Sequence, residues 1–411
     1  MVKNWKIVVG ANYGDEGKGL ATRYFTLEAQ KERRLVLNVL YNGGCQRGHT
    51  ADYTDGTRHI FHHFGSGTLD GADTYFAQKF IVNPMEFVRE GGEIKKEMGR
   101  FPRCLISPYC RVSTPYDMLI NRIVEDWRGA ERHGSCGCGI WETKERCFSM
   151  EFSNDGFPET TFGNMANMGD EDLMDILFWI SHTYAPKKLR KYGVEKIPDD
   201  YAKLLNSHTL ARNFVTDFRI MQKECIDNFD YLQYDTYIYE GGQGLALSEY
   251  NEKEYPHVTA SDPGAFYAIH DIRNHTADFG FVDQNSYSLE ICYVTRPYYT
   301  RHGAGDLNGE QDPKKFIPRW SEDETNVWNP YQEGLRYAPL DDEMMERIVR
   351  DFWANNKYGN PEMTMFLTHL IEADGSFPRT IEANPYTKRI YLSYAKPAEY
   401  VLIKGEQNDK D

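Results

Sequence analysis

Nothing in the chain approaches the roughly 18–20 consecutive apolar residues that cross a bilayer, and no basic start leads into an apolar leader. The expectation is a cytoplasmic protein. A cationic surplus is missing as well: 47 Lys and Arg face 62 Asp and Glu, for a net charge of −15. Such a surface repels phosphate backbones and anionic lipid. It argues against nucleic-acid and membrane partners, yet leaves room for a local basic pocket that holds a small anion. The eight cysteines form no CxxC pair, and the tightest spacing is Cys136-Gly137-Cys138. Free thiols, rather than disulfides or a zinc site, are expected. No internal repeat or low-complexity linker divides the chain.

What is present points to an α/β protein. The 411 residues are 40% hydrophobic and 14% aromatic, enough for a sizeable core. Length alone allows one large domain or two smaller ones; the missing linker favours one. Short β-branched or aromatic runs predict strands at 6–10, 34–40, 59–64, 103–107, 235–240, 288–295 and 363–370. Helical spacing fills the gaps at 85–98, 115–127, 170–181, 201–229 and 341–355. Asn83-Pro84 and Ser113-Thr114 stand where helix starts want a turn or an N-cap. The reading is a single domain over 1–404 with a central, mostly parallel sheet of the phosphate-loop NTPase kind. A helical excursion covers about 165–230, and 405–411 form a flexible tail.

Five glycine-rich loops follow strands or element ends, the layout of an open sheet with ligands along one rim. The first is Gly10-Ala11-Asn12-Tyr13-Gly14-Asp15-Glu16-Gly17-Lys18-Gly19. Its glycines bring N–H groups to an anion, the helix that follows favours negative charge, and Lys18 adds a cation. It is not the standard phosphate loop, because its first glycine is one step too far away. Gly19 also stands where Ser or Thr would hold Mg²⁺. Another oxygen must meet the metal, and Asp15 is the candidate; an ordinary strand-to-helix turn is the plainer alternative. The second loop runs Asn42-Gly43-Gly44-Cys45-Gln46-Arg47-Gly48-His49-Thr50, with His49 flanked by backbone that allows close approach. His59, His62 and His63 lie along a strand pattern and read as packing or surface residues. The remaining loops carry Gln243 in EGGQG, Ser135 and Cys136 in HGSCGCG, and TRHGAG at 300–305; YPHVTAS, with Thr259, follows the EGGQG loop.

In this order GDEGKG, GGCQRGHT, GSG, HGSCGCG, EGGQG, YPHVTAS and TRHGAG resemble adenylosuccinate synthetase, from about residue 6 to 310 and more weakly to about 403. The resemblance implies a homodimer that joins L-aspartate to carbon 6 of IMP with GTP and Mg²⁺. It assigns Asp15 to removing the purine N1 proton, His49 to stabilising or protonating O6, and Lys18 to holding the transferring phosphoryl. Gln243 belongs to the same catalytic set. Mg²⁺ would meet Asp15 and the Gly48 carbonyl. An Asp, with a resting pKa near ~3.9, needs such geometry to act as a base at neutral pH. Gly14, Glu16, Gly17 and Gly19 would bind nucleotide phosphate, as would Gln46, Ser135, Cys136, Gln243 and Thr259. Arg146 matches the arginine that this family reaches across its dimer.

Several positions depart from the family pattern. Its Asn-Ala-Gly-His-Thr reads Gln46-Arg47-Gly48-His49-Thr50, and its Gly-Thr-Thr reads Gly134-Ser135-Cys136. The arginine-rich amino-acid loop has its nearest counterpart within the 306–340 region, in 325–336, with Asn326 and Arg336 as the binding residues. The guanine reader Thr-Lys-Leu-Asp becomes Thr368-His369-Leu370-Ile371, leaving His369 and Glu372 as donor-base candidates. ATP could therefore replace GTP. The alternative acceptor is dGMP, as in the phage 2-aminoadenylosuccinate synthetases, with host cytoplasm as the location. Those relatives carry a small residue where Asp15 stands, which favours IMP here. A third reading is a non-catalytic nucleotide-binding protein; the intact Asp15, Lys18, His49 and Gln243 argue against it.

Overall fold

The computed structural model describes residues 2–149, 154, 156–278, 280, 287–322 and 328–405. Its frame is a ten-stranded sheet. From one edge the strands are Val401–Ile403, Thr387–Ser393, Glu362–Leu367, Tyr287–Thr295, Lys3–Gly10, Thr236–Gly244, Val36–Leu40, Asp73–Phe76, Cys104–Ile106 and Cys225–Ile226. Neighbours run parallel except at the Val401–Ile403 edge. A strand covered on both faces reads as a continuous apolar run, and Ile7, Val8 and Val9 are fully buried for that reason. Because the strands are parallel, their C-terminal ends lie on one rim. The first and second glycine loops leave from that rim, and EGGQG ends the Thr236–Gly244 strand there; HGSCGCG follows the Pro115–Arg128 helix, and TRHGAG follows Tyr298–Arg301, a strand outside the large sheet.

The capped helices form where expected. Pro84–Met98 starts at Asn83, whose side chain accepts from Glu86 N at 3.1 Å. Pro115–Arg128 opens with a reciprocal cap between Thr114 and Asp117. The predicted 201–229 helix is instead two, Asp199–Leu205 and His208–Glu224. Ser207 restarts the second by accepting from Leu210 N at 3.2 Å, a local bond that outcompetes helix continuation. The predicted 59–64 strand is also corrected. Only Arg58–Phe61 is extended, and it pairs antiparallel with His49–Asp52 in a hairpin off the sheet. Asp73–Phe76 takes the place beside Val36–Leu40. The three histidines do pack: Glu90, fully buried, accepts from His62 N at 2.9 Å and His63 N at 2.7 Å.

One apolar core lies between the sheet and the Phe266–His275 and Glu343–Asn355 helices. A second, rich in phenylalanine, joins the sheet's other half to the helical excursion. The tail at 406–411 lies outside the described residues.

Candidate active site

The first loop answers its own oddity. Glu16 turns inward and is 1% exposed. One carboxylate oxygen accepts from Asn12 N at 3.0 Å and Gly14 N at 2.8 Å; the other accepts from Lys18 Nζ at 2.7 Å. Burial opposes its charge, but Lys18 and the two N–H groups prevail and hold its pKa below the usual range. Glu16 therefore fills the cradle with the donors a phosphate would use. The packing leaves no slack: a methyl on Gly10 would sit 2.6 Å from the Glu16 carboxylate and 2.9 Å from Lys18 Nζ.

Asp15 points elsewhere. Its backbone is left-handed at φ 60°, and its carbonyl accepts from Arg296 Nε at 2.6 Å. Thr300 Oγ1 donates to the Gly14 carbonyl at 3.0 Å. The carboxylate is about 30% exposed and meets His302 Nε2 at 3.5 Å.

The second and third loops meet at a buried dyad. His49 Nδ1 lies 2.6 Å from Glu240 Oε1. Glu240 also accepts from Ser66 N at 3.0 Å and from the Ser66 hydroxyl, with Arg47 at 3.4 Å. Burial works against the Glu240 charge, yet Arg47 and His49 hold its pKa at about 2. Burial, then Arg47, lowers His49 to about 4. At neutral pH His49 is thus an uncharged ring donating Nδ1–H to Glu240, with Nε2 as a lone pair. That Nε2 is buried and has no protein partner, and both polar atoms of Gln46 are in the same state. Such orphans are costly unless a ligand completes them. The first and second loops touch, since a methyl on Gly19 would lie 3.1 Å from His49 Cβ. Gln243 closes the third side, its Oε1 3.7 Å from a methyl built on Gly14.

The fourth loop packs on the fifth, where a methyl on Gly134 would lie 2.6 Å from Ala304 N, and its N–H groups are already engaged. The N–H groups of Gly134 and Ser135 donate to the buried Glu125 carboxylate at 2.9 and 3.1 Å. The Ser135 hydroxyl donates to Asn121 at 2.9 Å. A phosphate would meet side chains here rather than a free backbone nest. The neighbouring Cys138 and burial push the Cys136 thiol well up, so it stays protonated. Thr259 is half-buried, its N–H donating to Leu247 O at 2.8 Å.

A family model described as adenylosuccinate synthetase matches residues 7–327. The chain belongs to the adenylosuccinate synthetase family. Relatives of that name include the Mesoplasma florum protein, 28% identical over 305 residues that cover 74% of this chain and 64% of the relative. The Acetivibrio thermocellus protein is 27% identical, covering 75% and 66% respectively. The chain thus spans slightly less than two thirds of the length of these relatives. Two solved structures share the fold. Fully ligated adenylosuccinate synthetase from Plasmodium falciparum aligns with TM-score 0.61 and 18% identity, over 89% of this chain and 77% of its own. Cyanophage S-2L succinoaminodeoxyadenylate synthetase (PurZ), bound to dGMP and dATP as an energy donor, aligns with TM-score 0.59 and 17% identity, over 98% and 95%.

Against the adenylosuccinate synthetase pattern, three assignments change. Arg146 is fully buried and forks Asp117 at 2.8 Å through two nitrogens, with Thr160 Oγ1 at 2.7 Å. In this chain its guanidinium is spent on contacts within the subunit. Arg336 is also engaged: it donates to the Gly303 and Gly305 carbonyls at 2.8 Å and pairs with Glu310 at 2.7 Å. It clamps the fifth loop instead of offering an open fork to a carboxylate. Glu372 accepts from the Tyr298 hydroxyl, and Ile371, where the family's guanine-reading Asp falls, is 54% exposed. His369, left-handed at φ 56°, has Nδ1 3.1 Å from Thr368 Oγ1; that hydroxyl in turn donates to Glu16 O at 2.7 Å. The 368–372 segment therefore leads directly to the first loop. Asn326 lies outside the described residues. Glu240, Arg296, Thr300 and Glu125 escaped the sequence reading. Glu240 and Thr300 left a signal, the one as a carboxylate ending an aromatic strand at the head of EGGQG, the other as the first residue of TRHGAG.

Proposed function

We propose that this chain is an NTP-dependent ligase. It phosphorylates O6 of a 6-oxopurine 5′-monophosphate, IMP, and lets the amine of L-aspartate displace the phosphate to give the N6-succino nucleotide. The observation that carries this is the His49–Glu240 dyad, its free Nε2 buried beside a loop that holds both Asp15 and Lys18. A mere nucleotide binder has no use for a base and an oriented imidazole on one rim.

The roles follow from the groups. The 6-oxo oxygen is a poor leaving group and must be activated. Asp15 takes the N1 proton, which makes O6 nucleophilic. His49 stabilises or protonates O6 from Nε2 when that nitrogen carries a proton, with Glu240 supporting the imidazolium. Lys18 leaves Glu16 to hold the transferring phosphoryl, and Gln243 orients the base. Gly17 and Gly19 bring backbone to phosphate, Gly14 joins them once Glu16 releases its N–H, and Gln46, Ser135, Cys136 and Thr259 face the nucleotide.

The oxygen donors present, the part-exposed Asp15 carboxylate and the exposed Gly48 carbonyl, suit Mg²⁺. That ion keeps waters and shares phosphate oxygens rather than needing a protein cage. Accordingly, no group of three or more His, Cys, Asp or Glu able to hold a metal occurs among the described residues. Bound there, Mg²⁺ supplies neutralisation of phosphoryl charge. A homodimer and a cytoplasmic setting complete the proposal; among the described residues no helix is long and apolar enough to cross a membrane.

A second reading rests on Ile371, exposed where a carboxylate would read guanine, and on the PurZ-like fold over 98% of the chain. It keeps the chemistry but takes dGMP, with an adenine nucleotide as donor. Phosphate release with Mg²⁺ and L-aspartate, crossing IMP, GMP and dGMP against GTP and ATP, separates the two. Release with IMP upholds the proposal. Release with dGMP alone replaces IMP by the second reading, and release with no combination removes the ligase assignment.

A further inference from the structure

Asp15 is the base in the reaction above, yet it sits on a glycine-rich loop with a side chain free to adopt several rotamers. Two carboxylate oxygens must divide between the purine N1 and Mg²⁺, so their orientation decides turnover. The loop backbone is fixed by Arg296 on the Asp15 carbonyl and Thr300 on the Gly14 carbonyl. Neither touches the carboxylate. The contact that does comes from His302, just past the Tyr298–Arg301 strand, with Nε2 3.5 Å from Asp15 Oδ2.

We propose that His302 is a positioning residue for Asp15, holding the carboxylate so that one oxygen faces the purine; the inference rests on the function proposed above. Three observations carry it. Nδ1, the other ring nitrogen of His302, is buried without a protein partner, so no structural bond explains the imidazole. Among the described residues, His302 is the only basic side chain within 4.0 Å of the Asp15 carboxylate. The loop behind the ring is held firmly, with Arg336 on the Gly303 and Gly305 carbonyls and Gly303 N donating to Gln332 O at 2.9 Å. A ring so mounted restrains its neighbour without itself reacting. Hydrogen bonds that act in catalysis are often long until substrate binds, which a contact of 3.5 Å fits.

The test uses the full chain. His302→Leu removes the donor at a side chain that is 23% exposed, so the thermal midpoint should stay near the parent's. Its kcat should fall about 10- to 100-fold, the loss expected for one hydrogen bond to a charged group, while the nucleotide KM moves less than about threefold. His302→Gln, which restores an N–H, should recover most of that loss. In an Asp15→Asn background, His302→Leu should cost nothing further. A His302→Leu kcat within about twofold of the parent, or full additivity with Asp15→Asn, overturns the positioning role.

A readout apart from turnover is the ¹⁵N spectrum of histidine-labelled protein, with the His302 ring signals assigned by their loss in His302→Leu. Asp15→Asn should shift those signals; unmoved signals overturn the contact. If Asp15→Asn keeps parental turnover, the base assignment itself falls. If Asp15→Asn is dead and His302→Leu is normal, only the positioning role does.

Discussion

Glu240 has to remain charged while fully enclosed, and three neighbours share the task. Ser66 supplies two hydrogen bonds, Arg47 a cation and His49 a ring N–H. Removing the charge while keeping the shape strands Arg47 in the interior. Glu240→Gln should therefore lower kcat at least about 100-fold and destabilise the fold by about 3 kcal/mol, read by steady-state assay and chemical denaturation. His49 adds a pH dependence whose sign is fixed by burial. Its folded pKa of about 4 lies below the unfolded value near ~6.5, so the unfolded chain takes the proton first. The stability from neutral His49 is complete above ~6.5 and is lost as pH falls towards about 4. Between pH 7.5 and 5, the parent should lose about 2 kcal/mol more than His49→Gln in urea titrations. A pH-independent difference between the two would show that the ring titrates normally in the fold.

Elements bring these residues together, and some were easier to read than others. Glycine punctuates the rim loops because backbone must approach ligand or neighbouring loop, so their positions showed in the chain. Strand 59–64 misled because aromatic and β-branched residues suit any half-buried extended segment, in the sheet or in a hairpin beside it. The short Asp73–Phe76 strand carries too few residues for a period to show. Arg146 differs again: its burial against Asp117 could not be read from the chain, because it depends on Thr160 and Val112, remote in sequence.

The Glu343–Asn355 helix holds a carboxylate that no spacing reveals. Asp351, against Tyr293 at 2.7 Å, has its pKa raised by burial to about 7. Here the folded state holds the proton better. Its contribution is complete below ~3.8 and is lost as pH rises through about 7. Asp351→Asn cannot ionise and still accepts from Tyr293, so it should gain on the parent as pH goes from 5 to 8. Parallel denaturant midpoints across that range measure the gain. A constant offset would mean that water or relaxation keeps Asp351 charged.

For the whole molecule, the proposed homodimer raises the possibility that Arg146 serves a partner's site. If Arg146 completed a partner's site, mixing two inactive proteins would create one good site: Asp15→Asn supplying the arginine and Arg146→Ala the base. The geometry predicts otherwise. Arg146 closes a fully buried ion pair between the Pro115–Arg128 and Ile140–Cys147 helices. Its removal leaves the Asp117 carboxylate, which also caps the first of those helices, without its cation. Breaking such a pair from one side costs about 3–5 kcal/mol, so Arg146→Ala should melt well below the parent. Mixing it with Asp15→Asn should restore no turnover. Arg146→Met, which keeps the stem and loses the charge, should be similarly destabilised. Recovered activity in the mixture would mean that the pair opens on assembly and the arginine crosses after all.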